Sequence, residues 1–409
     1  MHSIFFDLAV ILIAARVLAV IAVSLQLPGV IGELLAGLLL GPSMLGLIAP
    51  GEVLEILAEL GVILLLFKVG LETDASRLVR TGGKAVRIAV AGFLLPFLLG
   101  FAYCHLVLGT SLLFAVLVGG TLTATSIGIT VRILADIGRG QSDEGQIVVG
   151  AAVLDDVLGV VLLAILYDFA HTGIVDWSAA GRITLFTLVF FLIAPLIARP
   201  SMALVKRRDA AHRSAGVVPA LVIAIVLLFS AFAKAVGVPE VLGGFVAGLA
   251  FSRRFFLPFG RIARADLRLA TRIEHDTEPI IHILTPIFFV SVGLSVDLRA
   301  LDLADPQVWM LCLGLFVVAV AGKLRSSLML GPGAGSRLLI GISMVPRGEV
   351  GLIFADLGRD AGGFDASQYA AVVVVIVLTT VLPPLIIPTI ARRVTGAQSS
   401  AARAETLRR

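Results

Sequence analysis

Charge is what this chain has least of: Asp, Glu, Lys and Arg make up only 15% of its 409 residues, against about 25% in an average soluble protein. Cysteine is scarce too. Cys104 and Cys312 stand apart inside apolar stretches, with neither a CxxC spacing nor the density of a disulfide framework, so both read as small buried hydrophobes. The segment GPGAGSR (331–337) has no Gly-Lys-Ser/Thr ending and no strand before it, which makes it a connector rather than a phosphate loop. The N-terminus, MHSIFFD, carries no basic residue before Arg16 and no small-residue cleavage site, so the first apolar run is expected to be retained rather than removed as a signal peptide. These absences exclude a soluble enzyme, a nucleic-acid binder and a secreted disulfide scaffold.

What fills the chain instead is apolar sequence, 58% of residues, with a mean hydropathy of +1.05. Cutting at charged or Pro/Gly-rich breaks leaves thirteen candidate spans, 4–26, 27–48, 53–71, 85–108, 111–135, 145–168, 182–199, 216–237, 239–252, 279–297, 307–330, 336–358 and 367–391. Most are long enough to cross a hydrocarbon layer of about 30 Å as a helix. With the N-terminus outside, 24 basic residues fall on inward segments and three (Arg182, Arg299, Arg359) on outward ones. That bias predicts an N-out, C-in polytopic protein of the cell's inner membrane. The net charge of +4 is then loop asymmetry rather than a sign of an acidic partner.

The chain also repeats itself. LPGVIGELLAGL (27–38) and VPEVLGGFVAGL (238–249) share Pro, Val, Gly, Ala, Gly and Leu at an offset of 211. FKVGLETD (67–74) echoes VSVGLSVD (290–297) at 223, and Gly128 corresponds to Gly348 at 220. Each match shifts by seven spans, an odd number, so the second copy enters the membrane upside down. Inverted repeats of this kind mark secondary transporters, whose sites lie near the midplane where discontinuous helices meet. The expected organisation is a first repeat (1–181), a linker helix with a basic loop (182–215), an inverted second repeat (216–391) and a short cytoplasmic tail (392–409). Spans 5 and 12 are the candidates for discontinuity, span 5 through its Thr/Ser/Gly run TLTATSIGIT (121–130) and span 12 through MVPRGEVGLI (344–353). There Pro346 removes a backbone donor and Gly348 permits unusual dihedrals. A continuous kinked helix packed through small residues is the alternative for each.

Charges inside spans are costly and face the interior or a water-filled path. Asp155 and Asp156, in AAVLDDVLGV, lie about 15 Å into span 6 at about 1.5 Å per residue. Lys323, Ser126 and Arg347 fall at similar depths in spans 11, 5 and 12. Neighbouring helical residues point about 100° apart, so one aspartate can pair while the other faces the path. Lys323 is the partner expected for Asp155, which leaves Asp156 to a cation or a proton. Carboxylate oxygens with Thr or Ser hydroxyls, carbonyls and water make a hard-oxygen site suited to an alkali cation, with Asp155 and Asp156 as its charged ligands. Arg347 and Glu349 are two residues apart and do not face each other on a continuous helix; they are expected to neutralise half-helix ends, or each other across a break. Glu33 and Glu72 are either mouth residues or packing partners of Arg347.

These segments resemble the sodium/proton antiporters of the cation:proton antiporter superfamily, in the branch with an adjacent Asp-Asp pair. The resemblance runs from PGVIGELLAGLLLGP through LAELGVILLLFKVGLET, TATSIGIT, AAVLDDVLGV and PIFFVSVGL to GISMVPRGEVGLI. It implies an all-α polytopic membrane protein with two crossing discontinuous helices, built as a homodimer with a dimer domain and a mobile core domain. By position Asp156 matches the family's ion-binding aspartate, Asp155 its neighbour, Lys323 the lysine that salt-bridges that neighbour, and Thr125 and Ser126 the crossover. Arg325, two residues after Lys323, is a departure that can compete for the carboxylate. The resemblance also implies electrogenic exchange of two protons for one Na⁺ or Li⁺, with no cofactor. Only about 18 residues follow span 13, so no nucleotide-binding domain is expected. A K⁺/H⁺ antiporter of the same fold is the nearest alternative. A passive channel predicts conductance without proton counterflow, and an intramembrane aspartyl protease would place its two aspartates on facing helices rather than one.

Overall fold

Inside a bilayer no water satisfies backbone amides, so apolar runs close their hydrogen bonds internally as helices. The computed structural model describes residues 4–172 except 26 and 74, helical stretches at 177–178, 181–187, 189–190 and 193, then 217–252, 254–257, 261–264, 267–295, 299, 305–330 and 334–406. Helix α1 spans Ile4–Ser24, α2 Gly29–Leu40, α3 Glu52–Glu72, α4 Ala75–Ala102, α5 Leu112–Thr121, α6 Ile127–Asp136 and α7 Asp143–Thr172. Expected span 7 lies largely outside the described residues. Beyond it come α8 (Val217–Ala235), α9 (Glu240–Phe251), α10 (Leu267–Leu294), α11 (Pro306–Ser326), α12 (Ala334–Ser343), α13 (Glu349–Asp360) and α14 (Ala366–Thr406). Between α9 and α10 the basic connector forms an antiparallel ribbon of β1 (Arg254–Leu257) and β2 (Arg261–Arg264).

The molecule is a polytopic membrane protein. Among the described residues, α1, α4, α7, α8, α10, α11 and α14 are long and apolar enough to cross a bilayer unaided. Spans 5 and 12 are both broken, each into a pair of short helices (α5 with α6, α12 with α13). Helices α2 and α9 are shorter than their apolar runs, at 12 residues each, or about 18 Å at the helical rise. Span 2 stops at Gly41, just before Pro42, which cannot continue a helix; the turn 41–45 then gives way to irregular chain.

Two bundles emerge from the packing. In the first, α3 lies against α9 and α10, α2 against α1 and α10, and α8 against α9. The second holds α4 to α7 and α11 to α14, with α4 packed on α7 and α11, and α14 on α11 and α12. Fewer contacts join the two, chiefly α6 with α2 and α3, and α14 with α2.

The inverted repeat is visible in two tight crossings of the first bundle. A Cβ on Gly37 would collide with the Val290 carbonyl, and one on Gly293 with that of Leu34; likewise Gly248 sits on the Phe67 carbonyl and Gly70 on that of Phe245. The sequence echoes carry Gly37 onto Gly248 and Gly70 onto Gly293, so the two crossings are copies of each other. Small residues allow such backbone approach where apolar burial cannot drive helices together.

Candidate ion-binding site

The breaks in spans 5 and 12 meet each other. Ser126 caps α6, its hydroxyl accepting from the Ile129 N–H, while its own N–H donates to the Pro346 carbonyl at 2.9 Å. Gly348 caps α13 in extended conformation; a Cβ there would come within 2.9 Å of Ser126 Cβ and Oγ. The carbonyls freed at the end of α12 find hydroxyls across the crossing. Thr130 Oγ1 donates to Ser343 O at 2.9 Å, and Thr125 Oγ1 lies 3.0 Å from Met344 O. Arg347 Nη1 donates to Ala124 O at 2.6 Å, and Thr380 Oγ1 on α14 lies 2.8 Å from the Arg347 carbonyl and 2.7 Å from that of Ile376, its one proton serving either. Broken helix ends are thus satisfied by one another, as burial at membrane depth requires.

Asp155 and Asp156 stand midway along α7 beside this crossing. Lys323 on α11 and Asp155 are both fully buried, with Nζ 2.8 Å from Oδ2. Thr125 Oγ1 lies 2.7 Å from the same oxygen; its single proton serves Asp155 or Met344 O, one at a time. Among the described residues Asp155 Oδ1 has no hydrogen-bond partner. Asp156 is 5% exposed and acts electrostatically on Lys323, as does Arg347. Arg347 is fully buried, and among the described residues its Nε and Nη2 have no hydrogen-bond partner.

The structure therefore brings Asp155, Lys323 and Thr125 into one contact, with Asp156 next in the helix and Ser126 and Arg347 in the crossing behind. Glu349 heads α13, but its side chain lies outside the described residues. Arg325 is exposed and does not compete for Asp155. Glu33 is 3% exposed and faces Arg132, Asp136 and Arg16 electrostatically, not Arg347. It lines a cavity of about 650 Å³ between the bundles. On the other side of the crossing, a crevice of about 20 Å³ bordered by Leu34, Val292, Ile376 and Val381 reaches Arg347. Thr130 and Thr380 are participants that sequence reasoning missed. Thr130 was signalled by its place in the hydroxyl run, whereas Thr380 looks like any threonine in an apolar helix.

Residues 9–393 match the family model described as the transmembrane sodium/hydrogen exchanger. The chain belongs to the sodium/hydrogen exchanger family. It is 33% identical to the high-affinity Na⁺/H⁺ antiporter NhaS3 of Synechocystis over 90% of this chain and 85% of that one. It is also 33% identical to the Na⁺/H⁺-K⁺ antiporter GerN of Bacillus cereus, over 98% of each. The fold is shared with the sodium proton antiporter MjNhaP1 of Methanocaldococcus jannaschii, at a TM-score of 0.72, 18% identity and coverage of 96% and 97%. As a sodium/hydrogen exchanger family member, the protein is a cation:proton antiporter and not an enzyme.

Proposed function

We propose that this family member expels Na⁺, or Li⁺, in exchange for external protons, with Asp156 and Asp155 as the shared site. The observation that carries the reading is the buried contact of Asp155 with Lys323 and Thr125 beside two crossed helix breaks. A buried carboxylate must be neutralised by a partner, a cation or a proton. When Na⁺ binds the aspartates, the Asp155–Lys323 pair opens and the ammonium gives up its proton; when protons return, the pair closes. Thr125, Ser126 and nearby carbonyls supply neutral oxygens, and Arg347 holds the crossing in register. The second bundle, which carries the site, moves against the first to expose it to either side. No cofactor is called for, because the proton gradient supplies the energy.

If two protons enter per Na⁺ expelled, one net charge moves inward, and 100 mV supplies about 2.3 kcal/mol. That sustains a sodium gradient of about fifty-fold. The basic-residue asymmetry supports an N-out, C-in arrangement in the inner membrane. In proteoliposomes, Asp156→Asn is expected to abolish Na⁺-driven dequenching of an internal pH dye; exchange at the wild-type rate would reject the scheme. GerN is a Na⁺/H⁺-K⁺ antiporter by name, which favours K⁺ as a second cation, and running the same assay with Na⁺, Li⁺ and K⁺ in turn discriminates the readings.

A further inference from the structure

Both half-helices that lead away from the crossing end in the same pattern. Helix α6 closes on ADIGR (135–139) and α13 on ADLGR (355–359), at the offset of 220 that also relates Gly128 to Gly348. Because the repeats are inverted, the two copies lie on opposite sides of the molecule.

The first copy joins the two bundles. Asp136 shares a cavity lining with Gly29 and Arg132, and its carboxylate faces the backbone N–H groups of Gly29 and Val30 in the first turn of α2. That turn follows Pro28, which offers no side-chain cap. Arg132 steadies the carboxylate at 3.2 Å. An anion at this place satisfies orphan N–H groups and meets the positive end of the helix dipole.

Among the described residues the second copy makes no such contact. Asp356 accepts from Tyr369 OH at 2.9 Å and lies 3.1 Å from Arg359 Nη2, both within its own bundle. Its counterpart helix is nevertheless ready. The offset of 211 carries Pro28, Gly29 and Val30 onto Pro239, Glu240 and Val241, and α9 likewise starts behind a proline with no side-chain cap. The second copy keeps the aspartate and the proline-led helix start; Leu352 stands where Arg132 does, with Arg359 as the nearby cation instead, and Glu240, paired with Lys234, stands where Gly29 does.

We propose that Asp136 and Asp356 are alternating latches between the bundles. As the second bundle carries its site across, Asp136 leaves the start of α2 and Asp356 docks on the N–H groups of Glu240 and Val241. Each end state then has one capped helix, and neither is capped in transit. The latches rest on the two-state movement proposed above, and make both aspartates positioning residues for it.

The test is pulsed electron paramagnetic resonance on the full-length protein in lipid nanodiscs, with labels at Ala235→Cys and Asp360→Cys and with Cys104 and Cys312 replaced by Ala. Two separations are expected. Asp136→Asn should raise the ratio of short to long, and Asp356→Asn should lower it, each by about tenfold, the strength of a hydrogen bond to a charged group. Glu240→Pro should act like Asp356→Asn: it removes one docking N–H at a first-turn position that accepts proline, and Pro239 already has a compatible ψ of 134°. Two separations whose ratio moves the same way in both aspartate variants, or not at all, would overturn the latches alone. One unchanging separation across Na⁺ and pH conditions would overturn the movement together with them.

Discussion

A single oxygen, Asp155 Oδ2, faces both the ammonium of Lys323 and the hydroxyl of Thr125, while its twin Oδ1 has no partner among the described residues. This lopsided pairing makes Lys323 hard to replace. Lys323→Ala leaves a buried carboxylate uncompensated and is expected to cost about 3–5 kcal/mol of stability at neutral pH, read as a lower melting temperature in detergent; Thr125→Val should cost about 1–3 kcal/mol. Equal, negligible effects of both would mean that the pair is not holding the site. At this scale the sequence is informative where a residue is expensive. Two aspartates, a lysine and an arginine inside apolar runs stand out, because burying charge has few explanations. Thr130 and Thr380 do not stand out, since a helical threonine satisfies itself on its own backbone as readily as on a distant carbonyl.

Among elements, the decisive ones are the two broken spans. Their breaks could be anticipated from the hydroxyl run at 121–130 and from Pro346 and Gly348, whose chemistry opposes a continuous helix. The short α9 agrees with the short span 239–252, but the short α2 could not be anticipated from span 27–48, because hydropathy reports what the solvent tolerates and not where hydrogen bonding stops. Gly348 faces Ser126 so closely that Gly348→Ala must push the crossing apart, with an expected loss of about 1–3 kcal/mol and a sharp fall in transport. Gly159→Ala, one turn beyond the aspartates on α7, would meet only Val350 at an ordinary 3.6 Å and should be neutral or stabilising by up to about 1 kcal/mol. Thermal unfolding of the two variants side by side checks the contrast, and similar losses in both would contradict it.

Across the whole molecule, two inverted copies are superposed on two bundles, and the site sits where the second bundle's broken helices cross. The Gly37–Gly293 and Gly248–Gly70 crossings belong to the first bundle. Being copies, Gly37→Ala and Gly248→Ala should lower the melting temperature by similar amounts. The repeat was legible in the glycines and in the motif beginning at Pro28. A two-part division was implied by the family resemblance alone; which helices make up each bundle was not legible in the residues, because it depends on which helix faces are shared, a property of packing rather than of any one span. The claim on which the functional reading turns is that metal and protons exclude each other at Asp155 and Asp156. Adding Na⁺ to the purified protein in weakly buffered solution, and following a pH indicator, measures that exclusion without transport. One to two protons released per Na⁺ bound, and none from Asp156→Asn, is the predicted result; saturable Na⁺ binding with no proton released would contradict it.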